Sequence, residues 1–279
     1  MSSPVEISRT NPTCLLFLID QSHSMTGTFG GAPGKQRAEG VAEALNRLLQ
    51  NLVLKCAKAD GVRDYFHVGV IGYGIKIGSV FKGKLAGKPL APISEIANNP
   101  IRVEQRKKTV DDGAGGLIEQ TVRFPVWVEP KANGKTPMCE SLGRAKETVE
   151  TFLTLYPDCY PPMVLNLTDG RPSDGNPLAA AQDLCGLASS TGNVVLFNAH
   201  MSSKPVAPIQ FPSDEDKLPD NYAKLLFRIS SMLPPHLRDA ARAEGLAVDD
   251  GSRGFVFNGD LVAIIRFLEI GTRVSSPVR

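Results

Sequence analysis

Oxygen-bearing side chains follow two apolar runs of this sequence, at the points where strands would end. The run from Leu15 to Ile19 leads into Asp20, Ser22 and Ser24, and a second apolar run leads into Asp169 and a glycine. Open α/β sheets place their sites at the carboxyl ends of strands. Carboxylate and hydroxyl oxygens are the ligands that hard divalent cations prefer. The pattern predicts a Mg²⁺ or Mn²⁺ site built on loops.

A third loop offers an oxygen donor, Thr136, just before a helical pattern, and no histidine or thiolate cluster accompanies it. Three loops then offer hydroxyl or carboxylate ligands. Taken alone, the first cluster has a second interpretation: Asp20 and Ser22 or Ser24 could cap a helix that starts near Met25. The added donors favour the metal site.

The order of these donors resembles the von Willebrand factor A (VWA) family with its metal-ion-dependent adhesion site (MIDAS). That family has Asp-x-Ser-x-Ser, then a distant Thr, then a distant Asp, and the matching residues here are Asp20, Ser22, Ser24, Thr136 and Asp169. The resemblance implies that the three hydroxyls bind the ion directly and that the two carboxylates act mainly through water. It departs from the family at His23, where a glycine is common.

Strand and helix patterns alternate along the chain, which predicts an α/β fold with a Rossmann-like, doubly wound, mostly parallel sheet flanked by helices. We expect an N-terminal tail at 1–12 and one VWA domain at 13–279, with insertions at about 74–134 and 201–219. The resemblance adds one antiparallel edge strand, which we assign to His67–Tyr73. The expected helices are Gln36–Lys58, Met138–Tyr156, Leu178–Ala188, Ala223–Met232, Pro235–Glu244 and Asp260–Ile270.

The first insertion ends at Thr136, and long loops beside a site are commonly functional. We expect it to carry hairpins, and we expect the segments near Arg102 to Gly116 and Ser202 to Pro219, one in each insertion, to provide partner selectivity. Its basic run Arg106 to Lys108 is predicted to be a solvated loop. Trp127 is predicted to pack in the core rather than to anchor a ligand.

Composition narrows the classes of function. The 279 residues include 31 basic and 29 acidic side chains, so a net charge of +2 gives no global field for nucleic acid or an anionic membrane. The five cysteines are scattered, which argues against disulfides and structural zinc. The start of the chain lacks a signal-peptide pattern, and no segment is long enough to span a bilayer. These features predict a cytoplasmic protein.

Catalytic motifs are missing from the sequence. Gly134 and Lys135 imitate the end of a phosphate-binding loop, but Glu129 stands where that loop needs a glycine. The Asp20 motif lacks the second carboxylate of an Asp-x-Asp phosphotransferase, and no Ser-His-Asp triad can be drawn. We therefore expect a protein that is not an enzyme.

The expected function is cation-dependent protein binding, with an Asp or Glu of the partner completing the metal site. His23 either points to solvent or contacts the partner, and Arg171 is the second candidate contact. Resemblance to bacterial cytoplasmic TerY-like VWA proteins implies a signalling or stress-response adaptor whose partner is a kinase, a PP2C-type phosphatase or an AAA+ ATPase. Two alternatives stay open: a metal-dependent phosphoesterase using Asp20 and Asp169, and a structural module with an unused site.

Overall fold

Strands and helices alternate through most of the chain. The computed structural model describes residues 7–8, 10–29, 34–111, 117–202 and 207–271. The strands are β1 Thr13–Asp20, β2 Ala57–Lys58, β3 Gly61–Val62, β4 Phe66–Tyr73, β5 Ile77–Ser79, β6 Ala91–Pro92, β7 Arg102–Asp111, β8 Leu117–Val126, β9 Tyr160–Thr168, β10 Ala188–Ser189, β11 Gly192–Asn193, β12 Val195–His200, β13 Ile209–Gln210 and β14 Phe255–Phe257. The helices are α1 Arg37–Cys56, α2 Ile93–Asn98, α3 Met138–Leu155, α4 Leu178–Cys185, α5 Asn221–Ile229, α6 Pro235–Ala243 and α7 Leu261–Gly271, with short 3₁₀ helices at His23–Thr26 and Gly83–Leu85.

Eight strands form the main sheet, in the order β13-β14-β12-β9-β1-β4-β5, with β6 also paired to β4. The five strands from β14 to β4 are mutually parallel, whereas β5, β6 and β13 are antiparallel to their partners. The predicted α/β class with a mostly parallel sheet flanked by helices is confirmed. Since β1 and β9 are neighbours, their carboxyl ends lie side by side.

The strand at His67–Tyr73 was predicted to be antiparallel, and that prediction is wrong. It lies in β4, which runs parallel to β1 with Thr13 opposite Phe66 and Asp20 opposite Tyr73. The cause is the connection, because the 20-residue helix α1 crosses over between the two strands and returns the chain in the same direction. The antiparallel neighbour is β5, which follows β4 after a three-residue turn.

Apolar side chains cover both faces of β1. Leu15, Phe17 and Ile19 belong to the buried cluster that includes α1 and α7. Leu16 and Leu18 belong to the cluster on the other face, with α3, α4 and α5. A parallel strand buried on both faces reads as a continuous apolar run. This packing holds the strand that delivers Asp20 to the site.

The first insertion contains β5 to β8 and α2, and the expected hairpin is β7–β8. The basic run predicted as a loop lies instead in β7, where Arg106 pairs with Glu104 and stacks 3.6 Å from the centre of the Phe124 ring. Trp127 follows the hairpin and is buried, as predicted, and its indole nitrogen donates to the Ile96 carbonyl at 2.7 Å. Among the described residues, no helix has both the length and the apolar character needed to cross a membrane.

Candidate metal centre

The carboxyl ends of β1 and β9 bring the first two site residues together. Ile19 pairs with Leu167 in the parallel register, so Asp20 and Thr168 are adjacent. The Thr168 hydroxyl donates to Asp20 Oδ2 at 2.6 Å. Thr168 was not predicted as a site residue, although it directly precedes the predicted Asp169.

The loop after β1 turns its hydroxyls toward the same place. The Ser22 backbone N–H donates to Asp20 Oδ1 at 2.8 Å, and the Ser22 and Ser24 hydroxyl oxygens are 2.9 Å apart. Ser24 Oγ then donates to Asp169 Oδ1 at 2.6 Å. The capping interpretation fits less well, because the helix at His23–Thr26 is a single 3₁₀ turn and Ser22 makes no side-chain cap bond to it.

Thr136 reaches the site from the loop before α3. Its backbone N–H donates to Ser173 Oγ at 3.1 Å, and its carbonyl accepts from the Ser173 N–H at 2.9 Å. These bonds tie the Thr136 loop to the loop that follows Asp169. Ser173 gave no sequence signal, because a serine in a polar loop is unremarkable until the second loop is placed beside it.

Gly170 marks the space on which the three loops converge. A Cβ atom built there would lie 3.5 Å from Ser24 Oγ, 3.5 Å from Thr136 Oγ1 and 3.9 Å from Asp20 Oδ2. With Ser22 and Asp169 bonded to Ser24 as described, the structure brings all five predicted site residues together. Glycine keeps this space free of side-chain atoms.

Arg37 is a site residue that sequence reasoning missed. Its Nη1 donates to Asp169 Oδ2 at 2.6 Å and to the Ser24 carbonyl at 3.2 Å. The side chain is only 8% exposed and the Asp169 carboxyl is fully buried. A basic residue at the start of an amphipathic helix normally reads as solvent-facing, so the single sequence held no signal for this contact.

Burial dominates the electrostatics of Asp20, which is 2% exposed. Desolvation raises its pKa from 3.8 to about 6, while hydrogen bonds from Thr168 and Ser22 lower it in part and the Asp169 charge raises it. The ion pairs of the described residues do not include Asp20, and its two hydrogen-bond donors are neutral. A bound cation would offset the cost of burying this charge.

The donor set fits a hard divalent cation. It consists of three hydroxyls and two carboxylates, all oxygen ligands, around a space that a single Cβ would begin to fill. Nowhere in the described ranges do three or more His, Cys, Asp or Glu side chains form a metal-binding group. The residues therefore fit Mg²⁺ or Mn²⁺ chemistry better than an imidazole or thiolate site.

The two predicted partner contacts lie next to this centre in the chain. His23 stands between the two site serines and is exposed, and its backbone N–H donates to the Gly134 carbonyl at 3.0 Å. Arg171 follows Gly170, is exposed, and lies 5.8 Å from the centre of the Tyr222 ring. Their role in partner contact stays a prediction.

Comparison with known proteins gives similarity to solved structures alone: no protein-family model and no curated protein matches the chain. Proximal thread matrix protein 1 from the mussel byssus is 12% identical, over 94% of this chain and 47% of that one, with a TM-score of 0.49. A structure of the same protein with a zinc-occupied MIDAS motif is 12% identical, over 94% of this chain and 47% of that one, with a TM-score of 0.48. The vWF domain of the type V pili tip protein Mfa5 from Porphyromonas gingivalis is 12% identical, over 58% of this chain and 39% of that one, with a TM-score of 0.34. The chain thus spans less than half the length of each of these structures.

Proposed function

We propose that this protein is a non-catalytic module that binds a divalent cation and, through it, a carboxylate of a protein partner. The observation that carries the proposal is the convergence of three loops, with their hydroxyl and carboxylate oxygens, around Gly170. The residues that would hold the ion are Asp20, Ser22, Ser24, Thr136 and Asp169.

The protein's own bonds prepare these ligands. Thr168 and the Ser22 backbone fix the Asp20 carboxylate, and Arg37 fixes that of Asp169. Mg²⁺ or Mn²⁺ held mainly by neutral hydroxyls would supply a positive charge and an open coordination position that an Asp or Glu of the partner could fill. The side chains are thus arranged to bind the cation and to orient the carboxylate of the partner.

The two carboxylates of the centre are held in place by hydrogen bonds, and the sequence around them favours binding over phosphoester hydrolysis. Both oxygens of Asp20 accept a hydrogen bond, and so do both oxygens of Asp169. Beside Asp20, the sequence has Ser22 where an Asp-x-Asp phosphotransferase has the second carboxylate, which would act as the general acid. The phosphoesterase is therefore the second candidate, and turnover of a generic phosphoester by the purified protein would support it.

Partner selectivity would come from the first insertion. An open groove of about 550 Å³ runs beside the site, from Gln21 along β5 to Lys76 and Lys131. Both lysines are exposed, and the groove also holds Lys82 paired with Glu129. Positive charge beside a cation site suits an acidic partner segment. His23 and Arg171 would add contacts on the loops that carry the ligands.

The cellular setting is the part of the proposal that rests most on the resemblance to VWA proteins. An adaptor in a bacterial signalling or stress-response assembly, with a kinase, a PP2C-type phosphatase or an AAA+ ATPase as partner, accords with the donor pattern. All five cysteines are free thiols, which suits a reducing cytoplasm. Identification of the partner would test this setting.

The test is affinity capture from a lysate of the source cell. Wild-type protein in Mg²⁺, wild-type protein in EDTA, and Asp20→Ala in Mg²⁺ are compared, with Asp183→Ala, an exposed carboxylate on α4, as the matched control. We expect one partner to be retained by the wild type and by Asp183→Ala in Mg²⁺ only. Equal retention in all arms would mean that the metal site is not the interface.

A further inference from the structure

Arg37 forms an ion pair inside the metal centre. Its guanidinium donates to Asp169 Oδ2, and the pair is closed off from solvent. Most exposed ion pairs contribute little to stability, whereas removing one partner of a buried pair leaves the other charge buried without compensation. Asp169 also accepts from Ser24, so Arg37 acts on the site through a predicted ligand rather than from a distance.

The chain around Arg37 is built to hold it there. Its backbone N–H donates to the Gly27 carbonyl at 2.9 Å, and a Cβ at Gly27 would lie only 2.7 Å from Arg37 Nη1. At the start of α1, the Gln36 backbone N–H donates to Glu39 Oε2 at 2.8 Å. Glycine at position 27 therefore leaves room for the guanidinium where it meets Asp169.

The charge of the centre explains what the arginine would do. Asp20 and Asp169 carry two negative charges and Arg37 carries one positive charge, so the centre has one net negative charge. A divalent cation would then leave it with one net positive charge. Without the guanidinium, the two carboxylates would cancel the cation. The charge available to an anionic group therefore depends on Arg37.

We propose that Arg37 is a positioning residue that weakens cation binding at this centre and thereby keeps the bound site attractive to a carboxylate. The inference rests on the proposed function and adds how the site is tuned. The guanidinium repels the cation and occupies Asp169 Oδ2, so removing it has opposite effects on the two ligands. Cation affinity rises because Asp169 is released, and anion affinity falls because the net positive charge is lost.

The test measures both affinities on purified protein. Mn²⁺ binding is followed by the electron paramagnetic resonance signal of the free ion, and acetate binding to the Mn²⁺-loaded protein by the relaxation of water protons. Arg37→Met is expected to bind Mn²⁺ on the order of tenfold more tightly and acetate several-fold more weakly. Arg37→Lys, which keeps the charge, is expected to restore both affinities, and Arg47→Met, on the exposed face of α1, to change neither.

The outcomes separate this inference from the proposed function. If Arg37→Met does not fold, Arg37→Gln removes the charge while keeping a hydrogen-bond donor, and the same opposite shifts are expected. Loss of both affinities in the variant would indicate a merely structural arginine and would overturn the inference, whereas Mn²⁺ binding by the wild type would still support the proposed function. Absence of Mn²⁺ binding by the wild type would overturn the proposed function, and this inference with it.

Discussion

Asp20 is fixed on both oxygens by neutral donors, the Ser22 backbone at 2.8 Å and the Thr168 hydroxyl at 2.6 Å. These bonds determine where the carboxylate points without compensating its charge fully. Asp169 differs, because Arg37 supplies a formal counter-charge. The two carboxylates of the centre therefore have distinct environments, one poised for a cation and one already paired.

The burial of Asp20 predicts a pH dependence of stability in the metal-free protein. Because its pKa is raised to about 6, the folded protein binds more protons than the unfolded chain between about pH 4 and pH 6. The free energy of unfolding should therefore fall as pH rises through this range. Asp20→Asn lacks this titration. In EDTA, its free energy of unfolding relative to that of the wild type should therefore rise by about 2 to 3 kcal/mol as the pH increases from about 4 to about 6.

Urea unfolding of both proteins at several pH values checks this prediction. The difference between the two proteins isolates Asp20 from the other titrating groups. A difference that stays constant from pH 4 to pH 7 would contradict the assignment of a buried, uncompensated carboxylate. Saturating Mg²⁺ should remove most of the loss at neutral pH, because the cation offsets the buried charge.

The residues that sequence reasoning found at the site share one property: each lies within a few residues of the end of a strand pattern or the start of a helix pattern. Asp20 and Asp169 end apolar runs, and Thr136 precedes an amphipathic helix. Arg37 and Ser173 could not be found in this way, because their contacts cross from one loop or helix to another and exist only after folding. The sequence predicted a turn at Gly170. That Gly170 borders the open space of the centre depends on the tertiary structure and could not be predicted.

At the scale of elements, the first insertion forms the groove beside the site. The edge strand β5 and the segment after β8 line it, and a Cβ at Gly78 in β5 would contact nothing within 4 Å. Lys76 and Lys131 project at this groove, whereas Lys82 is paired with Glu129. The groove is therefore open, and two positive side chains that are unpaired among the described residues, Lys76 and Lys131, lie along its lining.

Charge reversal in the groove tests whether it selects the partner. The variant with Lys76→Glu and Lys131→Glu should retain several-fold less of the Mg²⁺-dependent partner, with a larger effect at low salt. Its Mn²⁺ affinity should stay close to that of the wild type. Lys55→Glu with Lys58→Glu, at the far end of α1, makes the same change in net charge and should capture normally. Equal losses in the two variants would indicate a nonspecific charge effect.

The alternation of elements could be predicted, whereas their directions could not. Helical periodicity placed α1 and α3 to within two residues at each end. The direction of β4 depends on how the chain crosses the sheet, and the resemblance supplied the wrong assignment. Short elements such as α2 and β6 have too few residues for a periodic signal.

Across the whole molecule, a buried polar chain ties the strands together beneath the centre. Tyr73 Oη donates to Asn166 at 2.7 Å, Asn166 to Asn198 at 2.9 Å, and Asn198 to Ser230 at 2.9 Å. These residues lie on β4, β9 and β12 and just after α5. This series of hydrogen bonds therefore fixes the relative positions of three parallel strands. Buried and bonded to one another, they make a stiff support for the loops above.

The space beside Gly170 is where we propose that a divalent cation binds, and a Mn²⁺ titration of Gly170→Ala tests this claim. The φ angle of Gly170 lies outside the left-handed region and the added Cβ would make only ordinary contacts, so the variant should fold. Gly143→Ala, in the middle of α3 with open space around it, is the matched control. We predict one Mn²⁺ per wild-type chain, the same for Gly143→Ala, and at least about tenfold weaker binding for Gly170→Ala. A wild type that binds no Mn²⁺, or a Gly170→Ala that binds it equally well, would contradict the claim.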